Sequence, residues 1–289
     1  MKLGIASHCT IDSIVLDNIQ YEVAGGPACY SSFTAQNLKF DIDLYTKFGR
    51  DFPLNDELNT FKLLTKYPSE QKTTRFKILL NGSDRRLFIE EKCEQIEFID
   101  NKTDGLIISP VFDEISLDNF SKFKNTSDFI MLDPQGFLRR KTSENEIFLE
   151  TTKIDLSGIS VIKTNYDEIK ALTGLIGDDA MKLLQSQGVE NVILTDKQNI
   201  SLLTKDKIYS IKLPNVRLHD TTGIGDIFSS TFCCTMLKEK DFLWALCFAG
   251  GAAQAAIENK KIGLEKIPQK GLIENNGSYF YNMVKFRTI

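Results

Sequence analysis

Short apolar runs alternate with helical stretches through the middle of the chain, and this alternation narrows the choice of fold more than any other feature. Gly105–Ser109, Phe129–Asp133, Ile159–Lys163 and Val192–Thr195 are each too short for a helix. Helical segments such as 165–172 and 178–187 separate them. That order is the mark of a parallel sheet with helices on both faces. Three of the runs close on polar residues: Ser109-Pro110, Asp133-Pro134-Gln135-Gly136-Phe137-Leu138-Arg139 and Lys163-Thr164-Asn165. Ligands of open parallel sheets bind beyond the carboxyl ends of the strands, so the site is expected there. Lys2–Ser7 reads as the first strand and Ile42–Phe48 as another, followed by a helix over about 55–64.

Two hairpins have too little apolar surface to stand alone. Ser13–Leu16 and Ile19–Val23 turn at Asp17-Asn18, and Thr73–Leu80 and Arg86–Glu91 turn at Asn81-Gly82-Ser83-Asp84. They are expected to join as one small sheet, a lid from about 12–24 and 72–92 on a single α/β domain spanning 1–289. Another hairpin is expected at Ile200–Leu203 and Ile208–Lys212.

The stretch His219-Asp220-Thr221-Thr222-Gly223-Ile224-Gly225-Asp226 runs into an apolar segment without Gly or Pro that is long enough for a buried helix. Its two glycines allow consecutive N–H groups to converge, and the helix start adds its dipole, which together make an anion site. Asp220 or Asp226 either caps that helix or, in the case of Asp226, accepts a proton from a hydroxyl attacking a bound phosphate. Ala24-Gly25-Gly26-Pro27-Ala28 is a second glycine turn opening a helix, with Pro27 where a missing N–H costs nothing. It lets a small polar ligand approach the backbone, or is an ordinary loop. Asp12 is a lone acid at a strand end. Asn165 is a helix cap, and Glu168 is either a first-turn acid favoured by the dipole or a support for hydrated Mg²⁺.

Composition removes several classes of function. A net charge of −4 and the absence of a Lys/Arg-rich run give no reason to expect nucleic acid. No apolar stretch reaches membrane-spanning length, and residues 1–8 read as a strand instead of a leader, so a cytoplasmic protein is expected. Six cysteines without a C-x-x-C pair, and only His8 and His219, speak against zinc. The thiols fall mostly in apolar segments and read as reduced core residues.

Several of these pieces, in this order, resemble the ribokinase-like (PfkB) carbohydrate and nucleoside kinases, and the likeness runs over nearly the whole chain. Asp220-Thr221-Thr222-Gly223-Ile224-Gly225-Asp226 is similar to the family's D-T-x-G-A-G-D signature. Gly25-Gly26 followed by Gly49-Arg50-Asp51 is similar to its N-terminal pattern, Asn165-x-x-Glu168 to its N-x-x-E motif, and Thr195 to the Thr that begins its nucleotide-contacting turn. Ile224, Ser229-Ser230-Thr231, Tyr30 and Lys197 depart from the family's usual residues. The Asp133–Arg139 stretch together with Gly25-Gly26-Pro27-Ala28 looks most like the inositol kinase branch.

The resemblance implies an ATP-dependent kinase acting on a hydroxyl of a small polyol, sugar or cyclitol. Asp226 would be the general base, with the N–H groups of Gly223, Ile224 and Gly225 as the anion hole. Asn165, Thr195, Gly223 and Gly225 would contact nucleotide, and Glu168 would support Mg²⁺ through water. Asp12, Gly25, Gly26, Gln135 and Arg139 would bind the acceptor under the lid, and a homodimer through the lid is expected. A nucleoside kinase of the same fold and a non-catalytic nucleotide-binding protein are the alternatives.

Overall fold

Each apolar run expected to be a strand forms one. The computed structural model describes residues 1–65, 68–81, 84–214 and 220–289, so His219 and the turn residues Gly82 and Ser83 lie outside the described residues. The N-terminal third contains β1 (Lys2–Ala6), β2 (Thr10–Leu16), β3 (Ile19–Gly25), α1 (Pro27–Asn37), β4 (Asp41–Tyr45), α2 (Asn55–Leu58), β5 (Lys62–Leu63), β6 (Thr74–Asn81) and β7 (Asp84–Glu91). Next come β8 (Gly105–Ile108), α3 (Leu117–Phe123), β9 (Ile130–Leu132), α4 (Gln135–Leu138), β10 (Arg139–Lys141), β11 (Ile147–Leu149), β12 (Val161–Asn165), α5 (Tyr166–Thr173) and α6 (Gly177–Ser186). The chain ends with β13 (Asn191–Asp196), β14 (Asn199–Thr204), β15 (Lys207–Lys212), α7 (Ile224–Glu239), α8 (Phe242–Glu258), the 3₁₀ turn Gly263–Lys266, α9 (Lys270–Met283) and β16 (Lys285–Thr288).

The large sheet has the order β16-β15-β14-β13-β12-β9-β8-β1-β4-β5. It is parallel from β5 to β13 and antiparallel beyond. Side chains alternate between its faces, as strand geometry requires. Ile107, Met131, Val161 and Ile193 face the core built with α1, α7, α8 and α9. Leu106, Ile108, Leu132, Ile162 and Val192 face the core built with α3, α5 and α6. Both faces are therefore covered, which is why these strands read as continuous apolar runs. All six cysteines are buried thiols.

The two expected hairpins do join as the small sheet β3-β2-β6-β7, with β2 and β6 parallel. It caps a third, smaller core of Ile14, Phe76, Ile78, Ile89 and Val111. The helix expected over about 55–64 is cut to Asn55–Leu58. Leu58 alone of that turn is buried. Phe61 instead packs edge-on against Phe33, and Lys62–Leu63 pairs with Asp43–Leu44, so strand pairing overrides helix continuation. The β10–β11 hairpin, α9 and β16 have no clear signal in the sequence.

β1 passes into the lid strand β2 through His8, which is fully buried. Its Nε2 lies 2.7 Å from the Glu94 carbonyl and its Nδ1 2.8 Å from Thr74 Oγ1, which also accepts the Cys93 N–H. A neutral ring, donating from Nε2 and accepting at Nδ1, satisfies all three groups, and burial accordingly pushes the imidazole below its ordinary range. A group with a depressed folded pKa loses its stabilising contribution as pH falls, so acid loosens this joint. Replacing it strands two buried polar partners. His8→Leu is expected to cost about 1–3 kcal/mol in urea or thermal unfolding, and an unchanged midpoint would show that the joint is not held by the ring.

Candidate active site

β12 and β13 end side by side where Asn165 pairs with Thr195, β9 stops earlier at Leu132 opposite Ile162, and residues of the small sheet line the same cleft. Between sheet and lid lies a cleft of about 320 Å³. Asp12, Phe76, Ile78 and Leu87 enter it from the lid. Asp133, Gln135, Arg139, Lys163, Asn165, Glu168 and Thr195 enter from the strand ends, and Thr221–Asp226 from the start of α7.

Gly223 caps α7 with φ of 79°, a left-handed conformation suited to glycine, and supplies no side-chain cap. A Cβ there would strike the Tyr30 ring. Neither Asp220 nor Asp226 is the cap. Asp220 Oδ1 accepts the Thr222 N–H at 2.9 Å, and the Asp226 carboxylate accepts no hydrogen bond among the described residues. The Ile224 N–H is turned back to the Thr221 carbonyl at 3.3 Å, while those of Gly223 and Gly225 have no intramolecular acceptor among the described residues. The expected three-amide anion hole is thus reduced to two, because the tight turn uses the middle donor. Gly225 keeps the approach open on its other side, since a Cβ there would lie 3.1 Å from Lys163 Nζ.

The acids are crowded. Asp226 lines the cleft and is half-buried. Burial, with the nearby Asp133 carboxylate, raises its pKa to about 7 against the pull of Lys163 and Arg139. Glu168 is also raised to about 7, by burial and then Asp133. Asp12 is raised to about 6, mainly by burial, although Thr10 donates to it at 2.8 Å. Asp133 itself is paired with Lys163 at 2.5 Å, both side chains almost wholly buried. Burial opposes the Lys163 charge, but the surrounding carboxylates outweigh it and hold the ammonium above the usual lysine range.

Asn165 and Glu168 form a capping box at α5: Glu168 N–H donates to Asn165 Oδ1, and Asn165 N–H to Glu168 Oε2, each at 2.8 Å. Both residues are thereby fixed at the cleft edge. No group of three or more His, Cys, Asp or Glu among the described residues is arranged to hold a metal alone. Glu168 Oε2 is spent on the Asn165 N–H and Lys163 and Arg139 act on the carboxylate, so it suits at most a hydrated hard cation carried largely by phosphates and water.

At the lid end, Gly25 is required because a Cβ would overlap Asp12, and Gly26, with φ of 81°, would place one 2.6 Å from the His8 carbonyl. Arg139 donates to the Val111 carbonyl at 2.9 Å and to Gln135 Oε1 at 2.5 Å. Asp12, Gly26, Gln135 and Arg139 line the cleft at this end, with Gly25 packed against Asp12 and outside the lining, and Gly223, Gly225 and Asp226 line it at the α7 start. Thr195 donates to the Thr164 carbonyl at 3.2 Å and lines the cleft at the edge beside Asn165. The far end, formed by Ile200, Leu213, Ala253 and Ile257, is apolar. Lys163 and Asp133 stand at polar strand ends visible in the sequence, but their pairing needs two strands side by side and has no sequence signal. Lys266, buried behind the loop, has none either.

The pfkB family carbohydrate kinase model matches residues 90–269. A ribokinase of Haemophilus influenzae is 34% identical over 122 residues, 40% of this chain and 40% of that protein, so less than half of either chain is matched. Among solved structures, a pyrophosphate-dependent kinase in the ribokinase family, complexed with a pyrophosphate analog and myo-inositol, is similar with a TM-score of 0.79 at 19% identity, over 96% of this chain and 100% of that one. Arabidopsis thaliana ribokinase complexed with ribose and ATP has a TM-score of 0.73 at 16% identity, over 96% of this chain and 98% of that one. At these identities the likeness establishes the ribokinase-like α/β fold.

The Gly223 contact with Tyr30 makes the loop sensitive to a single methyl group. Gly223→Ala adds a clash to a left-handed backbone and should destabilise the protein by about 1–3 kcal/mol in thermal unfolding. A neutral effect would mean the ring can move aside.

Proposed function

The chain belongs to the pfkB carbohydrate kinase family, and we propose that it transfers the γ-phosphoryl group of ATP to a hydroxyl of a small polyol, sugar or cyclitol. One observation carries the reading: among the described residues the Asp226 carboxylate accepts no hydrogen bond, and two backbone donors without an intramolecular acceptor lie in the same cleft. A carboxylate whose pKa lies near neutrality is matched to accepting a proton at physiological pH.

In this reading the acceptor hydroxyl lies between Asp226 and the Asp12–Arg139 corner. Its oxygen bonds to the γ-phosphorus as the bond to the β,γ-bridging oxygen breaks, and ADP leaves. Asp226 takes the hydroxyl proton. The Gly223 and Gly225 N–H groups, with Lys163 behind Gly225, hold the charge on the transferring group. Asn165 and Thr195 would contact the nucleotide, and Glu168 would support through water a Mg²⁺ ion, which would supply screening of the phosphate charges. The lid residues Phe76, Ile78 and Leu87 keep water, a competing acceptor, away.

The apolar end at Ile200, Leu213, Ala253 and Ile257 favours a nucleotide over bare pyrophosphate as donor, since it offers a flat base burial and offers pyrophosphate nothing. Myo-inositol is our first candidate acceptor. The similar fold that binds it and the cluster of Asp12, Gln135 and Arg139 around one corner both support that choice.

A screen of myo-inositol, ribose, fructose phosphate and nucleosides for acceptor-dependent ADP release tests the reading, and silence with every acceptor would overturn it. Asp226→Asn is expected to lower kcat by about 10²–10⁴-fold while the ATP Kd stays within about twofold. Near-normal turnover would remove Asp226 from proton transfer. Because only the ionised carboxyl accepts the proton, log kcat/KM of the wild type should fall with unit slope as pH drops below about 7. A profile flat to pH 5 would exclude Asp226 as the titrating base.

A further inference from the structure

Two hydroxyl groups on residues that line the cleft have no hydrogen-bond partner among the described residues: Tyr30 Oη and Thr222 Oγ1. Tyr30 is 0% exposed and Thr222 8%. Other buried hydroxyls share the lack of a partner, but those of Ser32, Thr34, Ser229 and Thr231 sit on α1 and α7 outside the cleft lining. A Ser or Thr within a helix can also turn to a carbonyl one turn back. A rigid phenol cannot reach its own backbone in that way.

The pair brackets Gly223. Thr222 precedes it, with its N–H given to Asp220 Oδ1 and its carbonyl taken by Lys266, so the side chain is the part left for a ligand. Tyr30 lies in the first turn of α1, its N–H donating to the Gly26 carbonyl at 3.1 Å, and its ring rests against Gly223. Neither hydroxyl belongs to the chemistry above.

A buried polar atom left unbonded weakens the empty fold, and a ligand that supplies the missing bond gains by it. The surroundings set the kind of ligand atom. Burial, and then the carboxylates of Asp12, Asp220 and Asp226, push the Tyr30 phenol well above its usual range, so it stays protonated. It therefore offers one donor and an acceptor, and the Thr222 hydroxyl offers the same. An alcohol is likewise donor and acceptor at once. It can accept from one of the pair and donate to the other, which neither a pure anion nor a cation can do.

We propose that Tyr30 and Thr222 form an acceptor subsite that reads a second, non-reacting hydroxyl, so that the chain selects uncharged acceptors with at least two hydroxyl groups and rejects their deoxy analogues. The proposal rests on the phosphotransferase reading, because the acceptor has to lie in this cleft beside Asp226.

Tyr30→Phe and Thr222→Val each remove one oxygen and keep the shape. Transfer kinetics and calorimetric binding on the full chain use myo-inositol with its monodeoxy analogues, and ribose with 2-deoxyribose and 3-deoxyribose. In the wild type at least one deoxy analogue should bind or react about tenfold or more worse than its parent, since it leaves the subsite unpaired. In Tyr30→Phe that gap should close to about twofold, because the parent falls to the level of the analogue. Its acceptor KM should rise about tenfold, while kcat and the ATP Kd change less than about threefold. Thr222→Val should narrow the gap for the same analogue. Because the phenol is unbonded in the empty protein, Tyr30→Phe should leave Tm no lower than in the wild type, and the rise in Tm that the parent polyol produces should shrink. A merely structural tyrosine would do the reverse, lowering Tm and leaving the gap intact. A fall in Tm of the empty Tyr30→Phe protein, failure to fold included, overturns the proposal. So does a wild type that treats every deoxy analogue like its parent, an unchanged gap in either variant, or a wild type that binds neither polyol. Binding of a polyol without transfer to any acceptor would instead sink the phosphotransferase reading, and the calorimetric gap would still decide the subsite.

Discussion

Four carboxylates meet in one cleft, and three of them are buried. Asp12, Asp133, Glu168 and Asp226 line it together with Arg85, Arg139, Lys163 and Lys197, and Lys163 is already committed to Asp133. Burial is the main reason three of the acids titrate between about 6 and 7 instead of near 4, and the neighbouring Asp133 carboxylate adds to the rise in Glu168 and Asp226. It also sets stability against activity. A carboxyl whose folded pKa is raised gives its full stabilisation below its unfolded pKa and loses it as pH climbs through the folded value. These groups therefore weaken the empty fold between about pH 4 and 7, over which Asp226 gains the charge needed to take a proton. In the proposed reaction a cation arriving with phosphates would favour the ionised forms, which would couple ligand binding to folding through this cleft.

Much of the fold is legible because two faces of a parallel sheet both demand apolar residues. That makes β8, β9, β12 and β13 stand out as runs, and the lid strands stand out through their turns. What fails to show depends on partners distant in sequence. The segment after Leu58 has helix-compatible residues but is taken into β5 by its pairing with β4, and α9, rich in Asn and Gly, is held where Gly251 meets the backbone of Gly277. The same division holds in the cleft. Residues within a local motif, such as Gly223, Gly225, Asp226, Asn165 and Glu168, are readable, since the turn that gathers them is written in consecutive positions. The buried pairs Asp133–Lys163 and Asp220–Lys266 span 30 and 46 residues, and only the finished topology brings them together.

The departures from the family signature also find their physical place. Ile224 is half-buried at the cleft wall, and its amide, not its side chain, is what the turn consumes. Ser229, Ser230 and Thr231 lie on the buried face of α7, where Ser230 donates to the Ser31 carbonyl of α1 at 2.7 Å. Small hydroxylated side chains on both helices allow a close approach without a large apolar ridge between them.

That close approach matters for charge. α1 and α7 both begin on bare glycine caps, Gly26 and Gly223, each left-handed and each without a side-chain hydrogen bond. Ser31 of α1 reaches the Asp226 carbonyl at 3.4 Å, so the two helix starts open onto the same cleft. A helix N-terminus carries about half a positive charge through its unpaired N–H groups. Two of them opening onto the carboxylate-lined cleft add, from backbone alone, positive potential to that of its cationic side chains. A capping Ser or Asp at either position would consume that potential and fill the space a ligand needs. The glycines are therefore explained by electrostatics as well as by conformation: they leave the helix ends unsatisfied inside the protein, at a cost that an anionic ligand is placed to remove.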